Sequence, residues 1–254
     1  MLSRSFRLLP IVAVLALVAC VTTPPGGGRS NGAKTSDASS GTQSLDASQL
    51  IKSDIDRVAD AHLQELRISL RMLAEKLYRR NPREWKKSGA VDAEAAVNRI
   101  MDPAAGWRYP ELDGKYASDA LQLAFRDDYR GDRVLALIGG LGGMLHSAFN
   151  EKTEFYLTDD LDPQKIYNSA RNIEIAVWRL SHARDAEGRL FLLSNEAGQP
   201  NGLTQNLSFE REFGRVIGQL DLLARIIADK SNRTVVKVIQ NIATAVFIPI
   251  TTFK

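Results

Sequence analysis

The sequence predicts an all-α fold, an irregular multi-helix bundle, on three observations. Apolar residues recur at three- and four-residue intervals over long stretches, the spacing of one helix face. These stretches are separated by Asn-Pro, Asp-Pro and glycine-containing punctuation, which starts and stops helices. Only one short run, Arg189 to Leu193, reads as a strand or extended segment, too little to support a continuous sheet. Roughly six to eight helices joined by loops are expected.

The folded part is expected to begin near Asp46, where Asp46 and Gln49 have the spacing of a capping box. Ile55, Ala59, His62, Leu66, Leu70, Leu73 and Leu77 then mark one face of a long helix. It should stop at Asn81-Pro82, because a residue before proline is pushed out of the α region. Asn81-Pro82-Arg83-Glu84 also reads as a fresh start, followed by a short helix broken near Gly89. Asp92 to Met101 is a third helix. Asp102 to Lys115, with Pro103, Gly106, Pro110 and Gly114, is a loop that carries Trp107 and Tyr109. Tyr116 to about Asp128 reads as helical again.

Arg133 to Phe149 is apolar almost throughout, yet holds four glycines within five positions, Gly139-Gly140 and Gly142-Gly143. Each costs about 1 kcal/mol relative to alanine in a helix interior, so a compensating contact is expected. Gly139 and Gly143 have the GxxxG spacing that lets another helix approach closely. Asp162-Pro163 opens a helix with a heptad-like seam (Ile166, Ala170, Ile173, Val177, Leu180) ending near Asp185–Gly188. After a loop containing Gly198, Pro200 and Gly202, Ser208 is placed to cap a helix whose face is Phe209, Phe213, Val216, Leu220, Leu223 and Ile227. Asn232 to Phe247, apolar on most sides and ended by Pro249, reads as a buried central helix in preference to a membrane-facing one, since it holds Lys237, Gln240 and Asn241 and is short for a span.

The N-terminal region has a different character. Arg4 and Arg7 precede an apolar run from Leu8 to Val18, interrupted by Pro10 and too short to span a bilayer well, which takes about 20 residues. It ends in Leu17-Val18-Ala19-Cys20, and Cys20 is the only cysteine. A basic start, a short apolar core and small residues before a cut mark a secretory signal. With a cysteine directly behind, the segment resembles the signal and lipobox of bacterial lipoproteins. That resemblance implies a diacylglycerol on the Cys20 thiol, cleavage before Cys20, and acylation of the new amine. Two or more acyl chains anchor a protein stably, at about 0.8 kcal/mol per buried CH₂. By the same analogy Val21, in place of an Asp, favours the outer membrane facing the periplasm. Val21 to about Leu45, with Pro24-Pro25-Gly26-Gly27-Gly28 and Ser, Thr, Asn and Gly after it, reads as a disordered tether. Its r.m.s. reach is about 25–30 Å. The expected organisation is a signal at 1–19, lipidated cysteine and linker at 20–45, and a helical domain at 46–254.

Hydrophobic content of 44% suffices for a core. The formal charge of +3 falls to +1 without Arg4 and Arg7, so the calculated pI of 9.0 does not point to nucleic acid. A lipidated Cys20 leaves no thiol for a disulfide, and stability must come from packing.

Candidate sites are few. His62, with Glu65 three residues on, suits a hydrogen-bonded core or boundary histidine better than a metal ligand, since the di-metal helical order is Glu-x-x-His. His146 and His182 have no Cys, Asp or Glu at ligand spacing on their helices, and no metal or cofactor is expected. Asp159, Asp160 and Asp162 lack the glycine and distal Glu of a calcium loop, and Asp162 is explained as a helix cap. The alternating charges from Arg126 to Arg133 read as a solvated turn, with partner docking as the other use. Trp107 and Tyr109 are the candidates for lining a ligand cleft; the other reading folds their loop onto the core. No G-x-S-x-G elbow or Ser/His/Asp arrangement is recognisable.

These readings favour a non-enzymatic envelope lipoprotein: a helical scaffold or assembly accessory with an envelope protein partner, joined to the membrane through lipid on Cys20. An envelope hydrolase on peptidoglycan or lipid would show two carboxylates converging near Trp107. A lipid or small-molecule carrier would show a large apolar cavity lined by the glycine helix and the last helix.

Overall fold

Ser53 begins the first helix. Its hydroxyl accepts from the Asp56 N–H at 3.3 Å and its own N–H donates to the Asp56 carboxylate at 2.8 Å, a capping box one turn into the chain described. The computed structural model describes residues 52–156, 159–195 and 207–250. The signal, Cys20, the linker and the Asp46–Gln49 pair lie outside the described residues.

Helix α1, Asp54–Arg80, buries Ala59, Leu63, Leu66, Leu70, Leu73 and Leu77. His62 stands half-buried at the edge of this face and Leu63 takes the inward slot. The helix stops where the proline requires: the Asn81 N–H and side-chain amide both donate to Leu77 O, at 2.8 and 2.9 Å. Helix α2 is Pro82–Lys87, and α3, Ala93–Ile100, is capped by Asp92, which accepts from the Ala95 N–H at 2.7 Å. Residues 102–117 form a loop with two 3₁₀ turns, Pro103–Ala105 and Pro110–Leu112.

Helix α4 is only Ser118–Leu123, shorter at both ends than the sequence reading. Ala117, with φ of +51°, breaks the start. At the other end the Arg133 guanidinium takes the Ala124 and Leu123 carbonyls, at 2.9 and 3.4 Å, so the orphan C-terminal acceptors are met without another turn. Helix α5, Arg133–Ala148, starts from an Asp132 cap that accepts from the Val134 and Leu135 N–H groups. Helix α6, Pro163–His182, starts from Asp162, and α7, Ser208–Ser231, buries the six predicted residues from Phe209 to Ile227. The fold is all-α, with seven α-helices and no strand among the described residues; Arg189–Leu193 is extended, and Arg184 meets Leu190 in a single antiparallel bridge.

Two expectations change. Ser208 is the first residue of α7 and not its side-chain cap; instead the Asn195 carboxamide accepts from the Phe209 N–H at 3.2 Å. The expected final helix is absent as well. Asn232 adopts a left-handed φ of +51°, which terminates α7, and residues 233–250 continue without helix. Thr234, Val235, Val236, Val238 and Ile239 are β-branched, which disfavours helix and suits an extended chain. The central position belongs to α5, buried from Arg133 to Leu145 on all sides. Helices α1, α4 and α6 pack around it, and α7 lies on α1 and α6.

The glycines explain how α5 is surrounded. A Cβ on Gly142 would fall inside the Trp107 ring, and one on Gly139 would sit 2.8 Å from the Tyr109 ring. On Gly140 it would lie 2.7 Å from the Leu121 nitrogen of α4, and on Gly143 2.8 Å from the Tyr116 ring. The GxxxG pair thus admits the aromatic residues of the 102–117 loop, and only Gly140 admits helix backbone.

Extended segments are held by side-chain amides. Asn81 accepts from the Leu193 N–H and donates to its carbonyl, both at 2.8 Å. Gln164 does the same to Val236, at 2.7 and 3.1 Å, and Asn172 to Ile248, at 2.6 and 2.8 Å.

Gly142→Ala is expected to destabilise by about 1–3 kcal/mol, an overpacking cost, and Trp107→Ala by about 3–5 kcal/mol. Urea denaturation of both single variants and the double variant should show strong non-additivity, because the added methyl has room once the ring is gone.

Candidate functional site

Trp107 and Tyr109 are not walls of an open cleft. They are 9% and 4% exposed, seated on the glycine face of α5, and the Tyr109 hydroxyl donates to Ile100 O at 2.6 Å. Their loop folds onto the core because the notches at Gly139, Gly142 and Gly143 provide the space for its rings. The cavity left beside Trp107 measures about 20 Å³, scarcely a water, and is lined by Leu63, Arg67, His146 and Lys152 among others. No carboxylate borders it. Gly139 and Gly143 pack internally, as above, and Cys20 lies outside the described residues.

The remaining candidates resolve into structure. Asp159 pairs with Lys152, Asp160 pairs with Arg233 at 2.7 Å, and Asp162 caps α6. His182 stacks on Trp178 with ring centroids 4.7 Å apart. Among the described residues no group of three or more His, Cys, Asp or Glu is placed to hold a metal, and no helix is long and apolar enough to cross a membrane.

The charge-alternating run 126–133, read as a solvated turn, is exposed at Arg126, Asp127, Asp128 and Arg130 and buried only at its last two residues. Asp132 and Arg133 are core residues, 3% and 8% exposed. Besides capping α5, the Asp132 carboxylate accepts from the Tyr78 hydroxyl at 2.7 Å. Burial, ahead of these hydrogen bonds, keeps the Asp132 carboxyl above the usual aspartate range. The Arg133 guanidinium donates to three carbonyls, those of Leu123, Ala124 and Tyr129, and stacks over the Phe191 ring at 4.6 Å. Glu84, itself buried, accepts from the Arg133 N–H and from the Lys87 ammonium, each at 2.7 Å.

This buried frame is the floor of a groove of about 660 Å³ between the start of α2, the turn before α5 and the segment 185–193, which turns at Asp185–Gly188. Arg80, Arg83, Lys87, Arg130, Arg133 and Arg189 line it, against only two acids, Glu84 and Asp185. Both acids are engaged: Glu84 as described, and Asp185 by the N–H and guanidinium of Arg189, which hold its carboxyl below the usual range. Arg83 and Arg130 are exposed and have no ion pair among the described residues. Asp127 and Glu187 flank one end, where the groove opens into a smaller hollow. Phe191 and Tyr129 supply apolar surface, the Tyr129 hydroxyl being pushed up to about 12 by burial. The chemistry available is recognition of negative charge by fixed guanidinium groups.

Sequence reasoning missed the groove because its cations come from three separate segments. Two local signs were present: the Asp132 cap abutting an apolar run, and the basic cluster around Asn81-Pro82. Comparison with protein-family models, with curated proteins and with solved structures found no match to this chain.

His146 offers a pH test of the packing beside Trp107. Burial, foremost, lowers its pKa from 6.5, opposed by Glu151 and aided by Arg108 and Arg67. The unfolded chain therefore binds a proton before the folded one does, and stability falls as pH drops below about 6.5. His62, also lowered by burial, acts in the same direction. Melting temperature followed from neutral pH downward should decline less steeply in His146→Gln than in the parent.

Proposed function

We propose that this chain is a lipid-anchored protein of the bacterial envelope whose helical domain acts through contact rather than catalysis. Lipid on Cys20 holds it to the membrane, with Val21 favouring the outer membrane and the periplasmic face. The domain serves as a scaffold or assembly accessory by receiving an acidic segment of a partner protein in the basic groove. The observation that carries the contact reading is the groove itself: six cationic side chains against two acids that are already engaged. The lipobox resemblance of Leu17-Val18-Ala19-Cys20 carries the location.

Two features suit a protein segment. Arg133 and Glu84 are fixed by buried hydrogen bonds, so the floor is preorganised and little ordering is required on binding. Arg83 and Arg130, at the rim, supply long-range attraction that steers an acidic partner and sets its salt dependence. The frame of a hydrolase, two carboxylates near Trp107, is absent among the described residues, and the glycine helix is filled by aromatic rings where a carrier would need a cavity.

Arg83→Glu/Arg130→Glu should retain the far-ultraviolet circular dichroism of the parent and weaken binding of an oligoglutamate peptide about tenfold or more at low salt. In-cell crosslinking of the full chain should recover a partner with the parent and lose it with this variant. Unchanged peptide affinity, or a partner recovered equally by both, would remove the groove from the function. Mass spectrometry of the N-terminal peptide reads the acylation of Cys20 independently.

A further inference from the structure

Between Lys230 and Ile250 the sequence carries Lys230, Arg233 and Lys237 and no Asp or Glu. Of the nine large apolar side chains that stand exposed among the described residues, four fall here: Val236 at 69%, Ile239 at 95%, Ile242 at 38% and Val246 at 66%. Scattered apolar residues on a surface need no explanation, but a cluster within one short segment does.

The segment is pinned at both ends and bows outward between. At one end Gln164 grips the Val236 peptide group. At the other, Asn172 grips Ile248, the Arg179 guanidinium donates to Ala245 O at 2.8 Å, and Ala245, Phe247, Ile248 and Ile250 are buried. Within the bow Gln240 ties itself to Val246, accepting at 3.0 Å, and Asn241 closes a turn on Ala243 and Thr244. The exposed apolar residues are thus presented by a braced arch, not by a fraying end.

We infer that this arch is a membrane-contact element: Val236, Ile239, Ile242 and Val246 enter the headgroup layer of an anionic bilayer while Lys230 and Lys237 meet its negative charge. Three observations choose a bilayer over a protein. The apolar side chains are exposed and line neither the basic groove nor the cavity beside Trp107. The charged residues of the segment itself are all basic, and Lys230 and Lys237 have no ion pair among the described residues, Arg233 being taken by Asp160; apolar and basic residues are paired in this way in interfacial segments. The peptide groups of 237–239 have no hydrogen-bond partner among the described residues, so they tolerate the hydrated headgroup region and not the hydrocarbon. Depth is therefore limited to the interface. The inference rests on the envelope reading only for which bilayer is met.

The test uses the full chain in a Cys20→Ser background, with an environment-sensitive fluorophore on Ile239→Cys, on Val236→Cys, or, as control, on Val91→Cys, a position 85% exposed elsewhere. Vesicles of phosphatidylcholine, with or without phosphatidylglycerol, carry a nitroxide quencher at headgroup depth. The expected result is a blue shift and quenching at 239 and 236 but not at 91, only with phosphatidylglycerol, reduced several-fold by Lys230→Glu/Lys237→Glu. The local readout separates the arch from any affinity of the N-terminal apolar run. Positions 239 and 236 as unquenched as 91, quenching independent of lipid charge, or a blue shift already present without vesicles would each overturn the inference, the last pointing to self-association. Acylation of Cys20 in the parent chain, read by mass, stands or falls separately.

Discussion

Helix α5 has no solvent face over most of its length, so everything else must be fitted around it. The constraint is distance. An ordinary helix keeps its neighbours out at the thickness of two layers of side chains, commonly 8–10 Å between axes. Four glycines remove that thickness along one face of α5: three let indole and phenol rings lie directly on backbone, and Gly140 admits Leu121. The penalty of about 1 kcal/mol per glycine is set against the burial of Trp107, Tyr109 and Tyr116, each large enough to repay it. The 102–117 loop is consequently part of the core. Its left-handed residues, Gly106, Trp107, Asp113, Gly114 and Ala117, are the bends that let a chain without regular structure follow the furrow.

The same helix links the core to the surface. Asp132 caps it and receives the Tyr78 hydroxyl from α1, while the next residue, Arg133, turns outward to hold α4's last carbonyls and underlie the groove. Buried charges are tolerated only when paired and hydrogen-bonded. Here every member of the group has partners: Glu84 with Arg133 N–H and Lys87, Arg133 with three carbonyls, Asp132 with Tyr78 and two N–H groups. The groove therefore inherits its rigidity from the packing of α5, and a change at the glycine face can reach it without touching it.

Much of the helical framework was legible in the sequence, because helices are local. Periodicity located the faces of α1, α6 and α7, and Asn81-Pro82, Asp92 and Asp162 gave boundaries close to those found. Where the reading failed, the deciding partner was distant. Residues 233–250 are apolar enough for a buried helix, but the left-handed Asn232 and the grip of Gln164 and Asn172, both on α6, hold them in a non-helical path. Ser208 had the right chemistry for a cap and lost the position to Asn195, across a loop. Trp107 and Tyr109 were read as candidates for lining a ligand cleft, with packing onto the core as the other reading; the partner that explains their burial, the glycine face, was read separately. The groove was invisible because no one segment contains it.

The amide clamps make a broader point about how loosely structured chain can be attached. A strand joined to a sheet is fixed by a periodic ladder, and slipping it by one residue turns every side chain over. A carboxamide that grips the N–H and carbonyl of one residue, as Asn81 does at Leu193 and Asn172 at Ile248, fixes a single point and leaves the chain beyond it free of a repeating register. Residues could be inserted or deleted between Val236 and Gln240 without disturbing either attachment. Such a segment is free to vary in length, and so in reach, while the bundle that carries it stays unchanged.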